Sequence, residues 1–147
     1  MKKKLYVATG VALILGVGLL VPVQTVMVPE WQIRVVDETG KPYIEQKVRQ
    51  FCNDYTLDID LCTDQSADQF TDKDGYVRFS EKAYSASTAL RIFATVKKFI
   101  LIYIAHDSMG TSVYVYSSGP TGYTKLEYTP DMAEPPTLLL LKSENAP

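Results

Sequence analysis

Residues 5–28 carry no charge and are dense in Val, Leu, Ile, Ala and Gly. At a rise of 1.5 Å per residue, such a run is long enough to cross a hydrocarbon core of roughly 30 Å as one helix. Beyond it the pattern changes to alternation. Trp31-Gln32-Ile33-Arg34-Val35-Val36 puts Trp31, Ile33 and Val35 on one face, as a half-buried strand requires. Further strands are predicted over 47–52 and 76–79. Ser112-Val113-Tyr114-Val115-Tyr116 alternates cleanly and 123–129 more weakly, up to Pro130. After Pro135-Pro136, Thr137-Leu138-Leu139-Leu140-Leu141 fits either a strand buried on both faces or a closing edge. Between the two groups of strands, Leu90, Phe93, Val96, Ile100 and Tyr103 recur at helical spacing, opposite Arg91, Thr95 and Lys98. This predicts an amphipathic helix over about 86–105, although 99–104 is apolar nearly all round and fits a buried strand equally. The helix is expected to cover the open side of the sheets. A second role, lying on lipid headgroups through Arg91, Lys97 and Lys98, is open.

Turn chemistry joins the strands. In Asp37-Glu38-Thr39-Gly40-Lys41-Pro42, Gly40 can take a positive φ, and Pro42 restricts the next strand to an edge or a start. Asp72-Lys73-Asp74-Gly75 has two carboxylates and a glycine at calcium-loop spacing, with Glu81 at the last position of that loop. Phe70 stands where the first ligand belongs, and no helix pair flanks it. A plain hairpin turn is expected instead, with no metal or other cofactor. Asp54, Asp58, Asp60, Asp64 and Asp68 follow the second strand with no basic residue among them, which predicts a solvated loop.

Val35-Val36-Asp37-Glu38-Thr39-Gly40-Lys41-Pro42, then Val48, then Thr71-Asp72-Lys73-Asp74-Gly75-Tyr76-Val77-Arg78-Phe79 resembles the carboxypeptidase regulatory-like domain. The resemblance covers about a third of the chain and rests on turns. It departs from the family's pattern at Glu45-Gln46, where Gly-Ala is usual, and over residues 80–106. It implies a mainly β fold, a seven-stranded or similar transthyretin-like antiparallel sandwich, and no catalytic residue.

Charge and cysteine usage narrow the function. The net charge is −2, and setting aside Lys2, Lys3 and Lys4 leaves 12 of the 15 basic residues against 17 acidic ones. That balance argues against a nucleic-acid partner, which needs clustered cations. The lysine triplet before the apolar run predicts a cytoplasmic N-terminus, with the following domain in the periplasm or outside the cell. No Ala-x-Ala pattern follows the run, so a single-pass anchor is favoured over a cleaved signal peptide. The division expected is 1–28 for this segment and 29–147 for the exported domain. Export into an oxidising compartment predicts a Cys52–Cys62 disulfide.

His106 is the one histidine, beside Asp107 and Ser108, and adjacent side chains diverge instead of forming a triad. It is expected to cap the apolar run. Three functions follow. The favoured one is a non-catalytic membrane-anchored module for another envelope protein, touching it through the acidic Cys52–Cys62 loop and the Gly119-Pro120 turn. The second is a secreted carbohydrate- or peptide-binding domain with a groove lined by Tyr114, Tyr116, Tyr123 and Tyr128, tyrosines that are also simply good strand formers. The third, a transthyretin-related hydrolase, needs Arg34, Arg78 and His106 in one cleft.

Overall fold

The structure, a computed structural model, describes residues 2–64, 67–119 and 122–141. The chain begins with helix α1 (Lys2–Leu20) and then strand β1 (Pro22–Val28). The apolar run therefore does not continue to Val28 as one helix. Pro22 has no N–H to donate and disfavours helical backbone at Val21, and the β-branched residues after it favour extended backbone. Among the described residues, no helix is long and apolar enough to cross a membrane.

Strands β2 (Trp31–Val36), β3 (Lys47–Asp54), β4 (Ile59–Asp60), β5 (Asp68–Phe70) and β6 (Tyr76–Phe79) follow, then β7 (Lys82–Ser87) and helix α2 (Thr88–Ala105). Strands β8 (Thr111–Gly119), β9 (Gly122–Tyr128) and β10 (Leu138–Leu140) complete the fold. One sheet has the order β10-β2-β6 and another β4-β3-β8-β9, with β5 also paired to β3. The β10–β2 pair is parallel, so the β10-β2-β6 sheet is mixed, whereas the pairs of the β3 sheet are antiparallel, and the fold is not purely antiparallel. Strands β1 and β7 form a separate antiparallel ribbon that holds Pro22 opposite Ser87.

The two larger sheets share one core. Trp31, Ile33 and Val35 of β2 meet Val77 and Phe79 of β6, Val48 and Cys52 of β3, and Val113 and Val115 of β8. Trp31 is buried, and its Nε1–H donates to Pro136 O at 2.6 Å, so the ring's one polar atom is satisfied as it is covered. Strand β10 is a closing edge with one buried face, in which Leu139 is inside while Leu138 and Leu140 are exposed. Met27 and Val28 of β1 also enter this core, so Pro22–Val28 belongs with the folded part and not with the helix before it.

The two turn motifs pack on each other. Asp37 Oδ1 accepts from Thr39 N and Lys41 N, and Asp72 Oδ1 accepts from Asp74 N and Tyr76 N. Gly75 takes φ 81°, and a side-chain carbon there would stand 2.8 Å from both Pro42 Cβ and Val35 O. The Asp72 turn is not a hairpin as expected, because it joins β5 in one sheet to β6 in the other. Thr71 fastens that crossing, its Oγ1 donating to Tyr43 O at 2.6 Å and accepting from Gln46 N at 2.9 Å.

The acidic segment is not the solvated loop that its composition predicts. Asp54 is buried, accepting from the Tyr84 hydroxyl at 2.8 Å and from Thr56 N and Leu57 N. Asp60 accepts from Cys62 N, and Asp68 pairs with Lys47 at 2.8 Å. The backbone partners are local, but Tyr84 of β7 and Lys47 at the start of β3 come from outside the run and are not revealed by its composition.

Candidate functional site

Alternation on three neighbouring strands sorts the sheet into an inner and an outer face. Val48, Gln50 and Cys52 of β3 and Val113, Val115 and Ser117 of β8 point inward and are buried. Their neighbours Arg49, Phe51, Ser112, Tyr114, Tyr116 and Ser118 point outward, and β9 adds Tyr123, Lys125 and Glu127. Together these nine residues line an open groove of about 710 Å³.

The register sets which rings meet. Phe51 lies opposite Tyr114, and Tyr116 opposite Lys125. Phe51 and Tyr114 stack with centroids 4.8 Å apart and an interplanar angle of 23°, and Tyr116 leans on Tyr114 at 6.1 Å. Lys125 Nζ sits 5.8 Å from the centre of the Tyr114 ring and donates to Glu127 Oε1 at 2.5 Å. The bond to Glu127 holds the Lys125 ammonium above its ordinary pKa. Burial, then the neighbouring Tyr55 and Tyr116, raise that of the Tyr114 hydroxyl. Tyr123 is 73% exposed.

Three of the four tyrosines anticipated as a recognition face are therefore together, and Tyr128 is not. It lies opposite the buried Val113, points inward and packs on the core, with its ring 6.1 Å from that of Trp31. Phe51, Arg49 and Lys125 join the face without having been anticipated. The signal was present as residue parity along β3 and β9, but reading it required the strand pairing.

Other expected sites fall elsewhere. Cys52 and Cys62 are joined in a disulfide, with Cα atoms 5.5 Å apart and both residues buried. It ties the inward face of β3 to the segment after β4. Gly119 ends β8, while Pro120 lies outside the described residues. Arg34 reaches over the Tyr76 ring and Arg78 pairs with Glu30, both on the β2–β6 sheet. His106 is the left-handed C-cap of α2 at φ 54°. No hydrogen bond, ion pair or cavity among the described residues joins these three in one cleft. No group of acidic, histidine or cysteine side chains suited to a metal ion occurs among the described residues.

Helix α2 departs most from expectation. It contributes no residue to the core that the two sheets share, and its buried residues are Ala94 and Lys98. Lys98, 5% exposed, donates to Asp107 at 2.8 Å and pairs with Asp58 at 2.6 Å. Hydrogen bonds from Lys98 hold Asp58 and Asp107 below the usual carboxylate range, and the same bonds hold Lys98 above the usual lysine range. The helix is thus clamped to the β4 region by charge instead of covering the sheets with its apolar side.

No protein-family model matches the chain, and no curated protein or solved structure matches it.

Proposed function

We propose that this protein is a non-catalytic extracytoplasmic binding module, held at a membrane through α1, whose outer β3–β8–β9 face receives a segment of another envelope protein. The observation that carries the reading is the state of the Tyr114 ring. One face is stacked on Phe51 and Lys125 stands over the ring, so the side chain offers its edge and hydroxyl, as aromatic contacts between proteins do. Flat stacking of a sugar needs a free ring face. Tyr123 is the side chain on which a glycan reading rests, because its ring is largely exposed.

The rest of the proposal has separate support. A buried disulfide fits an oxidising compartment. The turn motifs resemble those of carboxypeptidase regulatory-like modules, which carry no catalytic residue across. Residues 5–20 are uncharged, and α1 exposes Leu13, Ile14, Leu15, Val17, Leu19 and Leu20. At 1.5 Å per residue they measure roughly 24 Å, enough to enter a bilayer core of about 30 Å and short of its full width.

A photo-crosslinking amino acid at position 123, with position 32 on the opposite sheet as control, tests the binding face in cells. A discrete protein adduct from position 123 alone is expected. Equal adducts from both positions, or none from 123, would refute the proposed face. Saturable quenching of tyrosine fluorescence by chitin or cellulose oligosaccharides without any adduct would replace the protein ligand by a glycan.

A further inference from the structure

Two of the three charges of α2, Arg91 and Lys98, share the side that faces the protein, and the third, Lys97, lies between that side and the apolar half. Arg91, Lys97 and Lys98 are its charged residues, and each is held by the protein. Arg91 donates to Thr25 Oγ1 at 2.7 Å and to Val23 O, with its guanidinium over the Tyr84 ring. Lys98 is clamped between Asp58 and Asp107, and Lys97 pairs with Asp58 at 3.3 Å. At 3.6 residues per turn, Ile92, Phe93, Val96, Phe99, Ile100 and Tyr103 occupy the other half of the helix. All six are more than half exposed, Phe93 at 68% and Tyr103 at 74%. Lys97 stands only at the margin of this half. A helix on a globular surface normally presents the reverse arrangement, apolar side in and charges out.

We infer that α2 lies along the membrane with this uncharged half immersed in the lipid beside α1, a reading that rests on the proposed membrane attachment. Three observations select lipid as the occupant. The face has no charge to desolvate, which is what hydrocarbon demands and what attraction to an acidic surface would not produce. It continues a second apolar surface, because α1 contacts α2 and exposes its own leucines and valines. The ribbon pair Pro22↔Ser87 makes α1 end where α2 begins. Finally, α2 runs between β7 and β8 and is held by Asp58 and Asp107, so both of its ends stay with the β domain. It therefore lies on the bilayer and does not cross it. The bare apolar segment of α1 falls short of a full span, and α2 adds the contact that α1 lacks.

Trp31 is the single tryptophan and is buried, so an added one reports its own surroundings. Full-length Phe99→Trp and, at an exposed position on β2 of the β domain, Gln32→Trp are reconstituted into phosphatidylcholine vesicles with brominated acyl chains. An interfacial helix sits roughly 5–10 Å into the headgroup boundary, so shallow bromines should quench the Phe99→Trp emission about two-fold more than deep ones. Gln32→Trp should be quenched little. Ile100 is half exposed, so Ile100→Glu should leave the melting temperature in solution unchanged while abolishing quenching in the Phe99→Trp background. Vesicles that carry the protein but leave Phe99→Trp unquenched would overturn the inference and spare the attachment. Failure of the protein to float with vesicles would overturn the attachment and the inference with it. A detergent-resistant dimer that dissociates on Ile100→Glu, without quenching, would assign the face to a second copy.

Discussion

Replacing both cysteines, Cys52→Ala with Cys62→Ala, removes the covalent tie without leaving a free thiol. The bridge spans 10 positions, and a loop of that length contributes about 2.7 kcal/mol through the restricted unfolded chain. Both residues are buried, so loss of the two sulfurs adds about 1 kcal/mol for the space they leave. Together these lower the melting temperature by roughly 10–15 °C for a domain of this size. Melts followed by near-ultraviolet circular dichroism, with and without reductant, separate the two contributions. The oxidised native protein should lose most of the difference when reduced, and the variant should not respond to reductant. A native protein indifferent to reductant would show that the bridge does not constrain the chain. A variant that melts with the oxidised native protein would refute the loop-closure reasoning.

The remaining predictions concern strained and charged positions. Glu45 adopts φ 55°, so Glu45→Gly should raise stability by about 0.5–1 kcal/mol, read from denaturant midpoints; a loss would mean that the glutamate side chain offsets its strain. Gly75→Ala should cost about 3 kcal/mol, because left-handed backbone is combined with two 2.8 Å approaches; a change below 1 kcal/mol, on the same midpoints, would refute that packing. The clamp on α2 should fail at both pH extremes. Asp58 and Asp107 have depressed folded pKa values, so their contribution is present above about pH 4 and lost as pH falls through the folded values. Lys98 has a raised one, so its contribution is full below about pH 10.4 and lost as pH rises through the folded value. Protection of the α2 amides, relative to their pH-dependent intrinsic exchange, should therefore stay constant from pH 5 to 9, and equal protection of α2 in Lys98→Met would contradict the clamp.

Local pattern located Trp31–Val36 and Tyr76–Phe79 at the bounds the structure has, because alternation there is strict and turn residues bracket both. It located α2 as well, since the apolar spacing is helical whatever covers it. It misjudged the helix's orientation, because an apolar stripe does not state what it faces; that was decided by Asp58 and Asp107, which are far from α2's middle in sequence or beyond its cap. The ribbon β1–β7 was missed because Pro22–Val28 looks like the end of a span, and residues 82–87 alternate weakly. The groove was half legible. Tyr114 and Tyr116 share a parity, but excluding Tyr128 and adding Phe51 required knowing that β3 and β9 flank β8. Glu45 was not legible at all, for its left-handed backbone is one that glutamate rarely takes and nothing in the neighbouring residue pattern announces it.

Membrane attachment of a disulfide-bonded module is the claim on which the functional reading depends. Intact mass spectrometry of the protein from alkaline-carbonate-washed membranes, alkylated before or after reduction, tests it directly. A full-length species in the pellet that takes up two alkyl groups only after reduction is expected. A shortened species in the supernatant, or one alkylated without reduction, would contradict it.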